Sequence, residues 1–198
     1  MCIIVVSGLP RSGTSLMMQM LQAGGLDILV DDQRPPDDNN PRGYFEYEPV
    51  NALKWENYWV PQAKGKAVKV IPVLLPYLPH HFRYKIILMK RDLDEVVASQ
   101  GAVLQRQGRK GSAAGHTTLK LIFARHLTEI ERWLADQAHL EVTTVNFRRA
   151  VTDPKVTARK VARFLGLPLD EDKMTAVVDP NLYRQRNPDS AEEKDPPS

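Results

Sequence analysis

Gly8-Leu9-Pro10-Arg11-Ser12-Gly13-Thr14-Ser15 follows the apolar run Cys2-Ile3-Ile4-Val5-Val6 and leads into the helical pattern Leu16-Met17-Met18-Gln19-Met20-Leu21. Strand, glycine loop and helix in this order are the context of a phosphate-binding loop. Glycine lets the backbone N–H groups of Ser12, Gly13 and Thr14 converge on an anion, and the helix dipole adds partial positive charge at the same point. In the nucleoside-triphosphate form of the motif, G-x-x-x-x-G-K-[ST], a lysine reaches the β- and γ-phosphates. Thr14 stands in that position here, and the nearest cation is Arg11, three residues upstream. The loop suits a phosphate better than a triphosphate with magnesium.

A second segment points the same way. The apolar strand Tyr84-Lys85-Ile86-Ile87-Leu88-Met89 ends in Lys90-Arg91, where a magnesium-dependent P-loop enzyme places a carboxylate. A cation there calls for an anionic group and no metal. The helix that follows, from Asp92 to Ser99, returns Ser99 toward the strand end about two turns later. One arginine and one hydroxyl at this separation suit a second phosphate.

Together these segments carry a family resemblance. Gly8–Ser15 resembles the 5′-phosphosulfate loop of sulfotransferases, and Arg91 through Ser99 resembles their 3′-phosphate motif. Asn146-Phe147-Arg148-Arg149-Ala150-Val151-Thr152-Asp153-Pro154, with Phe164-Leu165-Gly166-Leu167 after it, is similar to the family's late strand and helix. Arg11 within the loop looks more like the carbohydrate and bacterial branches than the cytosolic phenol branch. The resemblance implies 3′-phosphoadenosine 5′-phosphosulfate (PAPS) as co-substrate, no metal, and an alcohol or amine acceptor, either a small molecule or a carbohydrate. It assigns Arg11, Ser12, Gly13, Thr14 and Ser15 to the 5′ side and Arg91 and Ser99 to the 3′-phosphate. It also suggests that Tyr183-Arg184-Gln185-Arg186 closes over the 3′-phosphate or purine, with Arg184 as a contact.

The composition fits this picture. The 198 residues, 42% hydrophobic and 26% charged, suffice for one domain with a substantial core. The net charge is +3, but residues 187–198 carry −3, leaving +6 on the body. A basic body suits an anionic ligand, while no basic stripe interleaved with aromatics argues for nucleic acid. Cys2 alone permits no internal disulfide and no cysteine-based zinc cluster. No apolar run approaches the ~20 residues that span a bilayer, and the chain opens directly into a strand. These features predict a soluble, cytoplasmic protein.

Apolar runs alternating with helical patterns predict an α/β fold: a P-loop-type parallel sheet with helices on both faces, in a single domain over residues 1–186, then a disordered polar tail over 187–198. The expected strands are Cys2–Ser7, Ala67–Ile71, Tyr84–Lys90 and Leu140–Asn146, with a short edge strand at Leu29-Val30. The expected helices are Thr14–Gly24, Pro49–Tyr58, Asp92–Gln107, Thr117–Gln137, Pro154–Leu165 and Glu171–Val178. In Thr117–Gln137 a stripe of Leu119, Ile122, Phe123, Leu127, Ile130, Trp133 and Leu134 reads as core. Asp31–Gly43 and Gly101–Gly115 read as long irregular segments, the second a lid over the nucleotide carrying Arg106, Arg109 and Lys110.

Transfer to a hydroxyl needs a base. Cytosolic sulfotransferases use a histidine near a strand end, but the corresponding stretch here is Lys69-Val70-Ile71-Pro72. His80, His81, His116, His126 and His139 lie in or beside surface patterns without an evident partner. Glu46, in the aromatic-rich Gly43-Tyr44-Phe45-Glu46-Tyr47-Glu48, is the candidate base, since neighbouring rings can stack on an acceptor. A glutamate base also occurs in the carbohydrate branch. Glu48 is the rival, although directly before Pro49 it also suits a helix dipole. Lys69 at a strand end is placed to stabilise the leaving phosphate or the moving sulfuryl group. Two other classes remain open: a kinase or triphosphatase with a deviant P-loop, and a nucleotide-binding module without chemistry.

Overall fold

A computed structural model describes residues 2–31, 33–106, 108 and 113–185. The proposed tail at 187–198, together with Arg186, Arg109 and Lys110, lies outside the described residues.

The fold is built on four parallel strands: β1 (Ile3–Gly8), β2 (Ala67–Lys69), β3 (Tyr84–Lys90) and β4 (Leu140–Asn146), in the order β2-β1-β3-β4. Every residue of β1 is buried, as an unbroken apolar run in a doubly covered parallel sheet requires. Side-chain alternation then sorts the strands between two cores. Ile3, Val5, Val68, Val70, Ile86 and Leu88 pack on one face with Trp59, Leu75, Ile130 and Leu134. Ile4, Val6, Ala67, Ile87 and Met89 pack on the other with Met17, Leu21, Val161 and Leu165. Helices therefore cover both faces: α1 (Thr14–Ala23), α5 (Pro154–Leu165) and α6 (Glu171–Ala176) on the second, and α3 (Ala113–Ala135) on the first. Two further helices, α2 (Leu93–Arg106) and the short α4 (Phe147–Thr152), follow β3 and β4 directly.

Several expectations require correction. The helix at Pro49–Tyr58 is only a 3-10 turn over Glu48–Ala52, closed by bonds such as Val50 N–H to the Tyr47 carbonyl and Leu53 N–H to that of Val50. Burying Leu53 and Trp59 while Trp55 and Tyr58 face solvent suits an irregular path more than one amphipathic stripe. Leu29-Val30 forms no strand; an isolated bridge joins Ile28 to Ala67, and β2 stops at Lys69, where Pro72 opens a further 3-10 turn. The described residues of the stretch expected to be irregular, 101–115, are mostly helical, since α2 runs to Arg106 and α3 begins at Ala113. In α3 the expected core stripe holds only toward its C-terminal end. Ile130 and Leu134 are buried but Ile122 is exposed, because the helix starts on α2 and reaches the sheet late.

All four strands end at one edge, and β1 sits where the order reverses between β2 and β3. Open α/β sheets place ligands at this switch point, outside the carboxyl ends of the strands. The strand end of β1 lies hard against β3. A Cβ on Gly8 would meet the Met89 carbonyl oxygen at 2.6 Å and Ser12 Oγ at 2.5 Å. Gly8→Ala is therefore expected to destabilise the chain by about 1–3 kcal/mol through overpacking, and an unchanged midpoint in urea unfolding counts against this close approach.

Candidate active site

The cleft beyond the strand ends has a volume of about 450 Å³, within the range of small-ligand sites. Each strand contributes to its lining: Gly8 to Arg11 and Gly13 to Ser15 at and after the end of β1, Lys69 at the end of β2 and Ile71 beyond it, Arg91 after β3, and Phe147 after β4. The long segment Arg34–Glu46 and the C-terminal residues Tyr183–Gln185 form the remaining walls.

The loop after β1 behaves as its sequence indicates, with one exception. Gly13 takes φ +95° as the N-terminal cap of α1, and an added Cβ would strike the Phe147 ring at 2.3 Å. Arg11 takes φ +68°, a left-handed conformation that is strained for a side chain and concentrates at functional sites. The first helical bond runs from Met17 N–H to the Gly13 carbonyl, so the N–H groups of Gly13, Thr14 and Ser15 lie ahead of the intrahelical ladder at the mouth of the cleft. Ser12 differs. Its N–H donates to the Leu9 carbonyl at 3.1 Å, and its buried hydroxyl turns inward toward Gly8, without a partner among the described residues. It shapes the turn and does not line the cleft.

The predicted cations gather closely. Arg11 Nε donates to Ser99 Oγ at 3.0 Å, and Arg11 Nη2 to the Asn39 carbonyl at 3.0 Å. Burial lowers the Arg11 pKa, and the nearby charges of Arg91 and Arg106 lower it further, against the opposing influence of Tyr44 and Asp37. The Arg91 side chain is only 7% exposed. Its Nε donates to Glu95 Oε2 at 2.9 Å, Nη1 to the Arg11 carbonyl at 3.1 Å and Nη2 to the Gln185 carbonyl at 2.7 Å. Ser99 thus contacts Arg11 directly, whereas Arg91 reaches the same loop through its backbone. Arg184 lies on the cleft wall and donates to the Asp38 carbonyl at 3.2 Å.

On the opposite wall stand Lys69 and Glu46. Lys69 Nζ lies 2.9 Å from the Tyr44 carbonyl, 3.4 Å from Ser15 Oγ and 3.5 Å from Glu46 Oε1. Glu46 also pairs with Arg34 at 3.2 Å and keeps 41% of its side chain exposed. Phe45, at φ +53°, turns the chain just ahead of it. Glu48 heads the 3-10 turn with its N–H on Asp31, and it does not line the cleft. Of the two glutamates, only Glu46 faces the site. None of the histidines lines it either; His80 and His139 stack on each other at 4.5 Å.

Some contacts were not foreseen from sequence. Segment 37–44 lies across the loop: the Tyr44 hydroxyl donates to Asp37 at 2.8 Å, Asn40 donates to Ser15 Oγ at 3.0 Å, and Arg106 pairs with the Asn39 side chain. Glu95, four residues after Arg91, is buried and bonded to both Arg91 and the Tyr183 hydroxyl. The i,i+4 spacing of opposite charges was the available signal, yet on an exposed helix it would be an ordinary surface pair.

The sulfotransferase domain family matches residues 3–185, so the chain belongs to the sulfotransferase family. It is a transferase of that class, and sulfuryl transfer is the activity the membership supports. The fold is similar to the sulfotransferase domain of the Synechococcus PCC 7002 olefin synthase, with a TM-score of 0.57 and 18% identity over 96% of this chain and 90% of that one. It is also similar to the sulfotransferase STF1 of Mycobacterium tuberculosis H37Rv, with a TM-score of 0.59 and 15% identity over 89% and 71%. Retinol dehydratase in complex with androsterone and the inactive cofactor PAP aligns with a TM-score of 0.51 and 13% identity over 89% and 64%. Among curated proteins, none matches the chain. No helix among the described residues is long and apolar enough to cross a membrane.

Burial lowers the Lys69 pKa from its ordinary 10.5, with Glu46 opposing the shift. Between the lowered value and 10.5 the unfolded chain holds a proton that the folded chain has released, so this group makes stability rise with pH. Lys69→Met is expected to lack that rise. Urea midpoints measured from neutral pH to pH 10.5 should diverge in favour of the wild-type chain, and parallel curves would show that Lys69 keeps its ordinary pKa.

Proposed function

We propose that the chain transfers a sulfuryl group from PAPS to a hydroxyl or amine on a small-molecule or carbohydrate acceptor. The observation that carries this reading is the meeting, in one cleft, of the α1 amide groups, the Arg11 guanidinium and the Lys69–Glu46 pair. The donor set suits such a nucleotide: amides, the guanidinium groups of Arg11, Arg91 and Arg184, hydroxyls and an ammonium, with Thr14 where a triphosphate site carries lysine. The PAP bound to retinol dehydratase is the bisphosphate product of the same donor.

In this reading the Gly13, Thr14 and Ser15 amides and the Arg11 guanidinium hold the 5′-phosphate at the positive end of α1. Arg91, Ser99 and Arg184 hold the 3′-phosphate, with Arg91 giving up backbone carbonyls in exchange for phosphate oxygens. The nucleotide supplies the sulfuryl group. Glu46 accepts the acceptor's proton as the acceptor oxygen bonds to sulfur in line with the breaking bond. The electron pair of the broken sulfur–oxygen bond stays on the 5′-phosphate, where Arg11 and Lys69 meet the growing charge. Lys69 sits between the base and the hydroxyl of Ser15, so it can contact Glu46 and serve the leaving group from one position.

Glu46→Gln keeps the shape and removes the base. It should lower turnover by at least about a hundredfold while calorimetry gives an unchanged affinity for 3′,5′-bisphosphoadenosine. Near-normal turnover would take Glu46 out of the role. For the donor, titration of the wild-type chain with the bisphosphate should show binding, and magnesium ATP should not displace it. Tight magnesium ATP binding without bisphosphate binding would instead support a triphosphate enzyme.

A further inference from the structure

A buried carboxylate that takes no part in the chemistry calls for another account. Glu95 sits in the first turn of α2, where its N–H donates to Asp92 Oδ1 at 3.1 Å, and only 3% of the residue is exposed. Taking a carboxylate out of water costs several kcal/mol unless its oxygens are well paired. Both oxygens of Glu95 are occupied: Oε2 accepts from Arg91 Nε at 2.9 Å, and Oε1 accepts from the Tyr183 hydroxyl at 2.6 Å, with Arg148 Nη2 at 3.8 Å. Such a pair adds little to stability compared with apolar packing. Its effect here is geometric.

The Arg91 guanidinium packs against two rings, 4.5 Å from the Phe147 centroid and 5.3 Å from that of Tyr183, and those rings meet edge-on at 5.2 Å. Contacts of this kind hold the cation against the ring faces but leave the direction of its N–H groups free. The Nε bond to Glu95 removes this freedom and directs both Nη groups away from α2, one toward the Arg11 carbonyl and one toward the Gln185 carbonyl. The same carboxylate holds the Tyr183 hydroxyl and so docks the C-terminal residues against that guanidinium.

We propose that Glu95 is the positioning residue of the nucleotide site. It sets the orientation of Arg91 toward the 3′-phosphate and, through Tyr183, makes docking of residues 180–185 and binding of that phosphate a single event. This rests on the donor assignment made above. Arg91 has five N–H donors, three of which are used, and a phosphate takes the Nη donors while Nε stays on Glu95.

The test is a double-mutant cycle on calorimetric affinity for 3′,5′-bisphosphoadenosine, with unfolding midpoints and acceptor KM measured alongside. Glu95→Gln should weaken bisphosphate binding about tenfold, equivalent to ~1.4 kcal/mol, and leave the acceptor KM unchanged. Tyr183→Phe, which keeps the ring and removes the hydroxyl, should weaken it in the same direction by less. In an Arg91→Lys background, which has no fork to orient, Glu95→Gln should add almost nothing. Two results overturn the inference alone: a wild-type chain that binds the bisphosphate and a Glu95→Gln chain that binds it equally well, or losses for Glu95→Gln and Arg91→Lys that simply add and track the unfolding midpoints. Should Glu95→Gln not fold, an unchanged affinity for Tyr183→Phe decides against the proposal. A wild-type chain that does not bind the bisphosphate overturns the donor assignment and this inference together.

Discussion

The bond from Arg91 Nη1 to the carbonyl of Arg11 joins positions 80 residues apart and sets the geometry on which the site depends. Parallel pairing alone brings the ends of β1 and β3 side by side, with Gly8 opposite Met89. Register does not determine where the loop beyond Gly8 goes. The loop must turn within a few residues into α1, and it does so with Arg11 in a left-handed conformation and Gly13 at φ +95°. Such a turn points the Arg11 carbonyl toward β3 and its guanidinium toward α2. Arg91 then anchors the carbonyl, and Ser99 receives the guanidinium. The loop's shape is therefore fixed from the neighbouring strand as much as from its own glycines, which explains how a non-glycine residue is tolerated at the strained position.

Much of this was legible in the sequence because it rests on short-range physics. Apolar runs such as Ile3–Val6 and Ile86–Met89 can only be doubly buried parallel strands in a chain that alternates with helices. Their order along one sheet edge brings Arg11, Lys69 and Arg91 into one cleft. Glu46 could be singled out because a carboxylate among aromatics, delivered by a long loop, is uncommon in a merely structural segment. What failed was governed by tertiary packing. Trp55 and Tyr58 read as helical, yet the burial of Leu53 and Trp59 dictates an irregular path with bonds to the third residue back. Residues 101–115 read as irregular. Gly101, however, lies inside α2, where an added Cβ would touch His116 of α3 at 3.0 Å, so it serves close helix packing. The surroundings of Ser12 were equally hidden: a serine in a phosphate loop reads as a ligand, and only the fold reveals its N–H on the Leu9 carbonyl and its hydroxyl buried beside Gly8.

A cleft of this composition carries an electrostatic cost that the segment 37–44 and the C-terminal residues offset. Arg11, Lys69 and Arg91 are all largely removed from water, and like charges at such range repel strongly in a partly dry site. The structure meets this with few full anions facing the cleft. Carbonyl oxygens of Asn39, Tyr44, Arg11 and Gln185 take most of the donors, while Glu46 is shared between Lys69 and Arg34 and Glu95 between Arg91 and Arg148. Carbonyl dipoles compensate a cation only in part, and burial lowers the pKa values of Arg11 and Lys69, with neighbouring cations adding to the shift. A ligand with two separated anionic groups would relieve both strained cations at once. It would gain from charge-assisted bonds that a carbonyl supplies only weakly. The binding energy available to such a ligand is therefore stored in the fold as incomplete neutralisation. On the proposal that Glu95 stays with Arg91 while the carbonyls give way, that energy is released along one direction, toward the mouth of α1.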